Sequence, residues 1–143
     1  MWIVVMITAL AFALRLVNLA RSDLTFDEAA SALIARMPLS EMIPYLLRAI
    51  HEHPPGYYVL LSGWMRLVGD GEAMLRMLSV FVGTLSVPLM YRWAREALGA
   101  AGGLIAALIL SLTPFHVYYS QDARMYPIVG ALALLSWWLL LRL

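Results

Sequence analysis

Residues 97–121, ALGAAGGLIAALILSLTPFHVYYSQ, are the longest stretch of the chain that contains no aspartate, glutamate or arginine. A transmembrane helix needs about 20 mostly apolar residues. Together with three other apolar stretches, this one predicts four spans, at residues 1–19, 73–93, 98–118 and 127–143. The sequence therefore predicts an all-α, polytopic membrane protein.

The composition of the chain is that of a membrane protein. Of its 143 residues, 63% are hydrophobic and 13% are charged, and the mean hydropathy is +0.81. A soluble domain carries about 25% charged residues. Ten arginines against nine acids give a net charge of +1 without a basic run, which excludes a nucleic-acid-binding surface. The absence of cysteine excludes disulfides and thiolate metal sites.

The segment between the first two spans, residues 20–72, predicts a structured loop on one side of the bilayer. Thr25 to Glu28 has the pattern of a capping box, in which Thr25 is the N-cap and Glu28 reaches back to it. A short helix should begin there and end near Arg36. Residues 56–68 predict another short helix, because about a dozen apolar residues cannot cross a bilayer.

An amphipathic helix is predicted between these two. Ser40 can cap it, and Ile43, Leu46, Leu47 and Ile50 then follow at the spacing of one helical face. Such a face suits a membrane surface or a groove. The loop therefore contains short juxtamembrane helices.

The arginines near the spans predict how the chain is oriented in the membrane. Arg92 and Arg95 lie in the predicted turn after the second span, which indicates a cytoplasmic turn and places the long loop outside. Arg15, close to the end of the first span, is expected to extend toward the interface. Glu72 and Arg76 are spaced for an ion pair on one helix.

Ser79 and Gly83 are small residues spaced four apart. This spacing favours close packing of one membrane helix on another. We therefore assign these two residues a structural role.

Ionisable residues close to a bilayer are candidates for function because charge is costly there. Asp27 and Glu28 could act in catalysis, or could be favourable charges in the first turn of a helix. Residues 118–126 contain Asp122, Arg124 and three tyrosines. Arg124 could hold a phosphate, Asp122 could hold a metal or a sugar hydroxyl, and Tyr126 completes a substrate-binding set. The alternative is an aromatic belt with a local Asp–Arg pair.

A second polar cluster, His51-Glu52-His53, precedes two prolines. Alternate residues of an extended backbone share a face, so His51 and His53 could meet one metal ion or one phosphate. Imidazole and carboxylate groups suit zinc or manganese. The alternative is a polar entry into the following helix.

The order of these motifs resembles the start of a GT-C-fold glycosyltransferase. The chain is most similar to the glycosyltransferase 39 group, which contains protein O-mannosyltransferases and the aminoarabinose transferases that act on lipid A. The resemblance is carried by Leu24-Thr25-Phe26-Asp27-Glu28-Ala29, His53-Pro54-Pro55-Gly56-Tyr57-Tyr58, Glu72-Ala73-Met74-Leu75-Arg76 and Tyr119-Ser120-Gln121-Asp122-Ala123-Arg124-Met125-Tyr126.

The resemblance implies roles for individual residues. Asp27 would be the catalytic base, Glu28 would lie beside it, and Asp122 would belong to the same active site. His53 would meet the lipid phosphate. Glu52 matches a metal-contacting position in some relatives, so a divalent metal is a possible cofactor, although many relatives need none.

The resemblance also implies the reaction. A sugar would pass from a polyprenyl-phosphate-linked donor to a hydroxyl of a lipid, protein or glycan, with inversion, at the outer face of a bacterial inner membrane. Members of the group are several hundred residues long, so the chain is expected to be the N-terminal part of a longer enzyme. The alternative is a small non-enzymatic scaffold or lipid-binding protein whose function depends on Leu46 and Leu47.

Overall fold

The computed structural model describes residues 2–20, 23–49 and 55–143, and every regular element in those ranges is a helix. The helices are α1 (Trp2–Leu16), α2 (Phe26–Ala35), α3 (Leu39–Ala49), α4 (Pro55–Val68), α5 (Glu72–Leu112), α6 (Pro114–Ser120) and α7 (Tyr126–Leu140). The predicted all-α class is confirmed for the described residues.

Helix α5 consists of two arms that fold back on each other. The break is at Gly99, whose φ is +79° and ψ is 178°, between an N-terminal arm (residues 72–98) and a C-terminal arm (residues 100–112). A Cβ at Gly103 would lie 2.9 Å from the backbone oxygen of Tyr91, so the arms touch beside the break. The predicted turn directly after residue 93 is wrong, because the helix continues to the glycine that can adopt this conformation.

Four apolar segments pack side by side: α1, the two arms of α5, and α7. Ile7 and Ala11 of α1 share a buried cluster with Val87 and Ala107, one from each arm. Nearer the C-terminus of α1, the Phe12 ring stacks on Phe81 with 6.0 Å between centroids. Helix α1 therefore runs antiparallel to the N-terminal arm of α5.

Helix α7 runs parallel to that arm. At its start, the Ser79 hydroxyl donates to the backbone oxygen of Arg124 at 3.3 Å. At its end, Arg142 Nη2 lies 2.7 Å from Glu96 Oε1. The bundle therefore has a loop end, with residues 113–126, and a hairpin end, with residues 91–99.

One described helix, Glu72–Leu112, is long and apolar enough to cross a membrane by length and composition, and α1 and α7 are shorter apolar helices.

Helix α2 begins at the predicted capping box. The Thr25 hydroxyl accepts from the Glu28 N–H at 3.3 Å, and Glu28 Oε2 accepts from the Thr25 N–H at 2.9 Å. The helix ends at Ala35, which confirms the predicted helix.

Helix α3 begins one residue earlier than its predicted cap. The carbonyl of Pro38 accepts from the N–H groups of Glu41 and Met42, at 3.0 and 2.9 Å. Ser40 therefore lies inside the helix, and the prediction that it is the N-cap is wrong.

The apolar face of α3 is also divided. Met42 and Leu46 are buried against α4, whereas Ile43 and Leu47 are 39% and 59% exposed. Ile50 lies outside the described residues. The buried half of α3 thus attaches the loop helices to one another.

The Arg15 side chain does not extend to an interface, so that expectation is wrong. Arg15 is fully buried. Its Nη1 donates to the carbonyl of Ala11 at 2.8 Å, and its Nη2 lies 2.7 Å from His116 Nδ1. Since a guanidinium only donates, His116 must accept through a neutral ring nitrogen. Helix α6 supplies this acceptor by packing against the bundle.

This close approach of α6 requires a residue without a side chain at position 83. A Cβ at Gly83 would overlap Ser120 Oγ, would lie 2.7 Å from Ser120 Cβ and would be 3.4 Å from Arg15 Nε. Ser79 and Gly83 are both buried, which confirms the predicted close helix packing.

Replacing Gly83→Val should therefore reduce stability. We expect a loss of about 1–3 kcal/mol relative to Gly130→Val, because the added methyl groups overpack the contact with α6. Gly130 of α7 is the matched control, since a Cβ there has nothing within 4 Å. Unfolding in detergent, followed by helical circular dichroism, measures the difference. Equal stabilities of the two variants would contradict the packing described above.

Candidate active site

A buried ion pair between Glu28 and Arg76, hereafter the central ion pair, connects α2 to the start of α5. The two residues are 2% and 4% exposed. Arg76 Nε lies 2.7 Å from Glu28 Oε1, and Arg76 Nη2 lies 2.8 Å from Oε2, so the contact is bidentate. The sequence predicted that Arg76 pairs with Glu72 on its own helix, but its guanidinium is directed at Glu28 of α2, 48 residues earlier in the chain.

Backbone groups complete the environment of the central ion pair. The guanidinium of Arg76 donates to the carbonyls of Leu19 and Asp23, at 2.8 and 3.1 Å. The N–H of Ala123 donates to Glu28 Oε1 at 3.0 Å. The chain before α2, the start of α5 and the segment between α6 and α7 therefore meet at one carboxylate.

These contacts keep Glu28 ionised. Burial opposes the charged form, but hydrogen bonds from Arg76, Ala123 and Thr25 outweigh it and lower the pKa of Glu28 to about 2. A carboxylate with this pKa and this many donors is a poor general base. Its geometry suits a positioning role.

Asp27 differs from its neighbour in exposure. Its side chain is 63% exposed, and its Oδ2 lies 3.7 Å from Arg124 Nη2. Arg124 Nη1 also lies 3.4 Å from the carbonyl of Asp27. The guanidinium of Arg124 is mostly buried and stacks over the Tyr126 ring, 5.8 Å from its centroid. An accessible carboxylate and a cation therefore share one location at the loop end.

Asp122 lies close to Glu28. It lines a cavity of about 160 Å³ together with Glu28, Arg76 and Tyr118. Its Oδ1 is buried and has no hydrogen-bond partner within the described part of the chain. Burial and the nearby Glu28 carboxylate raise the pKa of Asp122 to about 6. Asp122 can therefore carry a proton under mildly acidic conditions.

An aromatic wall borders Arg124. The Tyr119 ring makes edge contacts with Phe115, Tyr118 and Tyr126, at centroid distances of 4.5, 5.2 and 4.7 Å. Tyr118 is 65% exposed and Tyr126 is 41% exposed. The wall offers ring faces and hydroxyl groups next to the charged residues.

The structure brings five of the predicted site residues together: Asp27, Glu28, Asp122, Arg124 and Tyr126. His51, Glu52 and His53 lie outside the described residues. Within the described ranges, no three His, Asp or Glu side chains form a group that could hold a metal ion.

Two polar residues at the site were not predicted to act there. Arg76 was assigned only a pair on its own helix. Gln121 donates to the carbonyls of Arg15 and Val17, at 3.1 and 2.7 Å, and so attaches the end of α1 to the cavity. The position of Arg76 inside a predicted span was the signal that could have identified it as a functional residue. Its partner Glu28 is 48 residues away, so local spacing could not predict the pair.

Comparison with known proteins identifies a related family. The sequence model of the family described as dolichyl-phosphate-mannose-protein mannosyltransferase matches residues 52–143, more than half of the chain. No curated protein and no solved structure matches the chain. The matched range contains Arg76, Asp122 and Arg124, whereas Asp27 and Glu28 precede it. The central ion pair thus joins the matched part to the earlier half of the candidate site.

Replacing Glu28→Gln should destabilise the fold strongly. Breaking the central ion pair leaves Arg76 buried without its counterion, at a cost of about 3–5 kcal/mol. Asp70→Asn is the control, because it breaks an exposed Arg–Asp contact at Arg36, where about 0–1 kcal/mol is expected. Unfolding of both variants in detergent measures the difference, and equal losses would contradict the role of Glu28.

The pH dependence of stability provides a second test of Glu28. Its folded pKa of about 2 lies below the ordinary 4.5, so its contribution is present above pH 4.5 and is lost as the pH falls toward 2. The wild type should therefore be more stable than Glu28→Gln at pH 4.5 and above, and this difference in stability should decrease as the pH falls toward 2.

Asp122 should titrate in the opposite sense. Its folded pKa of about 6 lies above the ordinary 3.8, so folding favours the protonated form. The stability that this gives is complete below pH 3.8 and is lost as the pH rises through 6. The stability of Asp122→Asn relative to wild type should therefore increase over that interval in unfolding measurements. A constant difference across the interval would show that Asp122 titrates normally.

Proposed function

Because the chain belongs to the dolichyl-phosphate-mannose-protein mannosyltransferase family, we propose that it contains the reaction centre of a membrane glycosyltransferase. The enzyme transfers a sugar from a polyprenyl-phosphate-linked donor to a hydroxyl of a lipid, protein or glycan acceptor. The observation that carries this proposal is the exposed Asp27 carboxylate, held 3.7 Å from the guanidinium of Arg124.

The chemistry requires a proton acceptor and a site for the departing phosphate. In the proposed step, the acceptor oxygen forms a bond to the anomeric carbon of the sugar while the bond between that carbon and the phosphate oxygen breaks. The electron pair leaves with the polyprenyl phosphate. Asp27 takes the hydroxyl proton. A single displacement of this kind inverts the anomeric configuration.

Arg124 is proposed to stabilise the charge that develops on the phosphate. Its planar guanidinium matches phosphate oxygens, and partial burial strengthens the electrostatic interaction. His53 is proposed, from the sequence, to meet the same phosphate. Asp122, with its raised pKa, can donate a hydrogen bond to the sugar or the phosphate when protonated. Tyr126 and its aromatic neighbours are proposed to contact the sugar.

Glu28 is proposed as the positioning residue of the site. It directly follows Asp27 in the chain, and it accepts from the N–H of Ala123, which lies between Asp122 and Arg124. A single carboxylate therefore fixes the distance between the proposed base and the proposed phosphate-binding residue. For Glu28 to act as the base, the central ion pair would have to break.

The proposed membrane arrangement has four spans, with the loop helices outside. It is supported by four apolar segments of alternating direction, by Arg92 and Arg95 at the hairpin end, and by the integral membrane character of the family. Outward-facing side chains such as Leu85 and Ile109 are 65% and 61% exposed, which suits lipid. We propose a multi-pass protein of a bacterial inner membrane with its site facing outward.

A divalent metal remains an expectation from the sequence, which offered Glu52, the His51 and His53 pair, and Asp122 as possible ligands. The described acids and histidines do not converge in a group that fits one. No step of the proposed reaction is therefore assigned to a metal.

The scaffold alternative is less well supported by the structure. It requires a lipid-facing surface that contains Leu46 and Leu47. Leu46 is only 1% exposed and packs in the core of the loop helices, while Leu47 is 59% exposed. Exposed apolar side chains such as Leu47 and Ile43 are ordinary at a protein surface.

Replacing Asp27→Asn should strongly reduce sugar transfer while leaving the fold intact. The loss of the base should reduce the rate by roughly 10²–10⁴-fold, and the exposed side chain makes little packing contribution. The measurement is transfer of a labelled sugar from a polyprenyl-phosphate donor in membranes that contain the protein. Glu41→Gln, an exposed acid in the first turn of α3, is the control and should retain activity. Wild-type rates in Asp27→Asn would exclude Asp27 as the base.

A further inference from the structure

A groove runs between α1 and the N-terminal arm of α5 toward the hairpin end. Its inner part, about 570 Å³, is apolar, and the residues that line it include Val4, Val5, Thr8, Phe12, Phe81 and Pro88. Its outer part, about 500 Å³, shares Val4, Val5 and Pro88 with the inner part and adds Tyr91, Arg92, Arg95 and Trp138. Because three residues line both parts, the groove is continuous.

The outer part of the groove carries two arginines that are available for an anion. The guanidinium of Arg92 lies 5.7 Å from the Trp138 ring centroid, and that of Arg95 lies 5.9 Å from Tyr91. Within the described part of the chain, neither guanidinium lies within 4.0 Å of a carboxylate; Glu96 is near Arg92 but is paired with Arg142. The nearby Arg142, in contrast, is paired with Glu96 at 2.7 Å. The mouth of the groove is therefore cationic.

The length of the groove matches one leaflet of a bilayer. Phe81 and Arg92 are separated by eleven residues of helix, a rise of about 16 Å. Half of a hydrocarbon core of about 30 Å is about 15 Å. A chain that follows the apolar part from the arginines would therefore end near the middle of the bilayer.

We propose that this groove binds an anionic phospholipid of the inner leaflet. The phosphate lies between Arg92 and Arg95, and one acyl chain lies along the apolar part toward Phe81. Basic pockets between membrane helices on the cytoplasmic side attract anionic headgroups, and guanidinium groups match phosphate oxygens. The assignment to the inner leaflet rests on the proposed orientation, whereas the lipid-binding itself does not require sugar transfer.

This site is separate from the candidate active site. Helix α1 has 15 residues and so separates the two ends of the bundle by about 22 Å. The donor phosphate is proposed to lie at Arg124, at the loop end, and the phospholipid at the hairpin end. A lipid between α1 and α5 at the hairpin end contacts the same helix, α5, that carries Arg76 of the central ion pair at the loop end.

The test is a lipid titration of the whole protein in detergent, with bound lipid counted by native mass spectrometry. Phosphatidylglycerol should bind at least about tenfold more tightly than phosphatidylcholine, and Arg92→Gln/Arg95→Gln should remove this preference. Arg48→Gln/Arg66→Gln, which removes two exposed arginines from the loop helices, is the matched control and should keep it. Circular dichroism establishes that all variants remain helical.

A second pair of variants tests the apolar part. Ala9→Trp fills the groove that Ala9 lines and should weaken binding of phosphatidylglycerol, whereas Leu10→Trp, on the neighbouring face, should not. Equal binding of the two phospholipids by the wild type would overturn the proposal, as would equal losses in the two double-arginine variants. Tighter binding of polyprenyl phosphate than of phosphatidylglycerol at Arg92 and Arg95 would instead assign the groove to the donor carrier. Absence of any bound lipid would also overturn the proposal.

Discussion

The fold at the loop end depends on the ion pair between Glu28 and Arg76. A buried carboxylate is costly unless its charge and its lone pairs are satisfied. Here Glu28 accepts from a guanidinium and from the backbone N–H groups of Thr25 and Ala123. Arg76 in turn donates to two carbonyls before α2. Segments that are distant in sequence must come together for this charge to be buried, so the ion pair determines where the loop helices lie on the bundle.

The chemistry of the site follows from this constraint. Asp27 and Glu28 are neighbours in sequence, but burial and hydrogen bonding commit Glu28 to the structure, while Asp27 stays exposed beside Arg124. Burial, together with the same nearby carboxylate, raises the pKa of Asp122. The three acids of this small region thus differ in exposure and in hydrogen bonding. In the proposed reaction, the buried Glu28 positions the site while the exposed Asp27 takes the proton.

Local patterns in the sequence predicted the helices better than the contacts between them. The capping box at Thr25 and the short helix α4 could be predicted because their signals lie within a few residues. The turn of α5 was misplaced because arginine and glutamate near residue 93 are good helix formers, and only Gly99 interrupts the helix. Arg15 was expected at an interface because its burial depends on an acceptor, His116, that is 101 residues away. Such a distant partner cannot be recognised from the local sequence.

In the proposed reaction, the donor phosphate binds at the loop end, beside Asp27 and Arg124. A polyprenyl-phosphate sugar with a photoreactive group on the isoprene unit next to the phosphate tests this directly. After irradiation, mass spectrometry of the labelled peptides should find the label within residues 23–36 or 113–128. Label found only within residues 91–99 and 137–143, at the hairpin end, would contradict the claim.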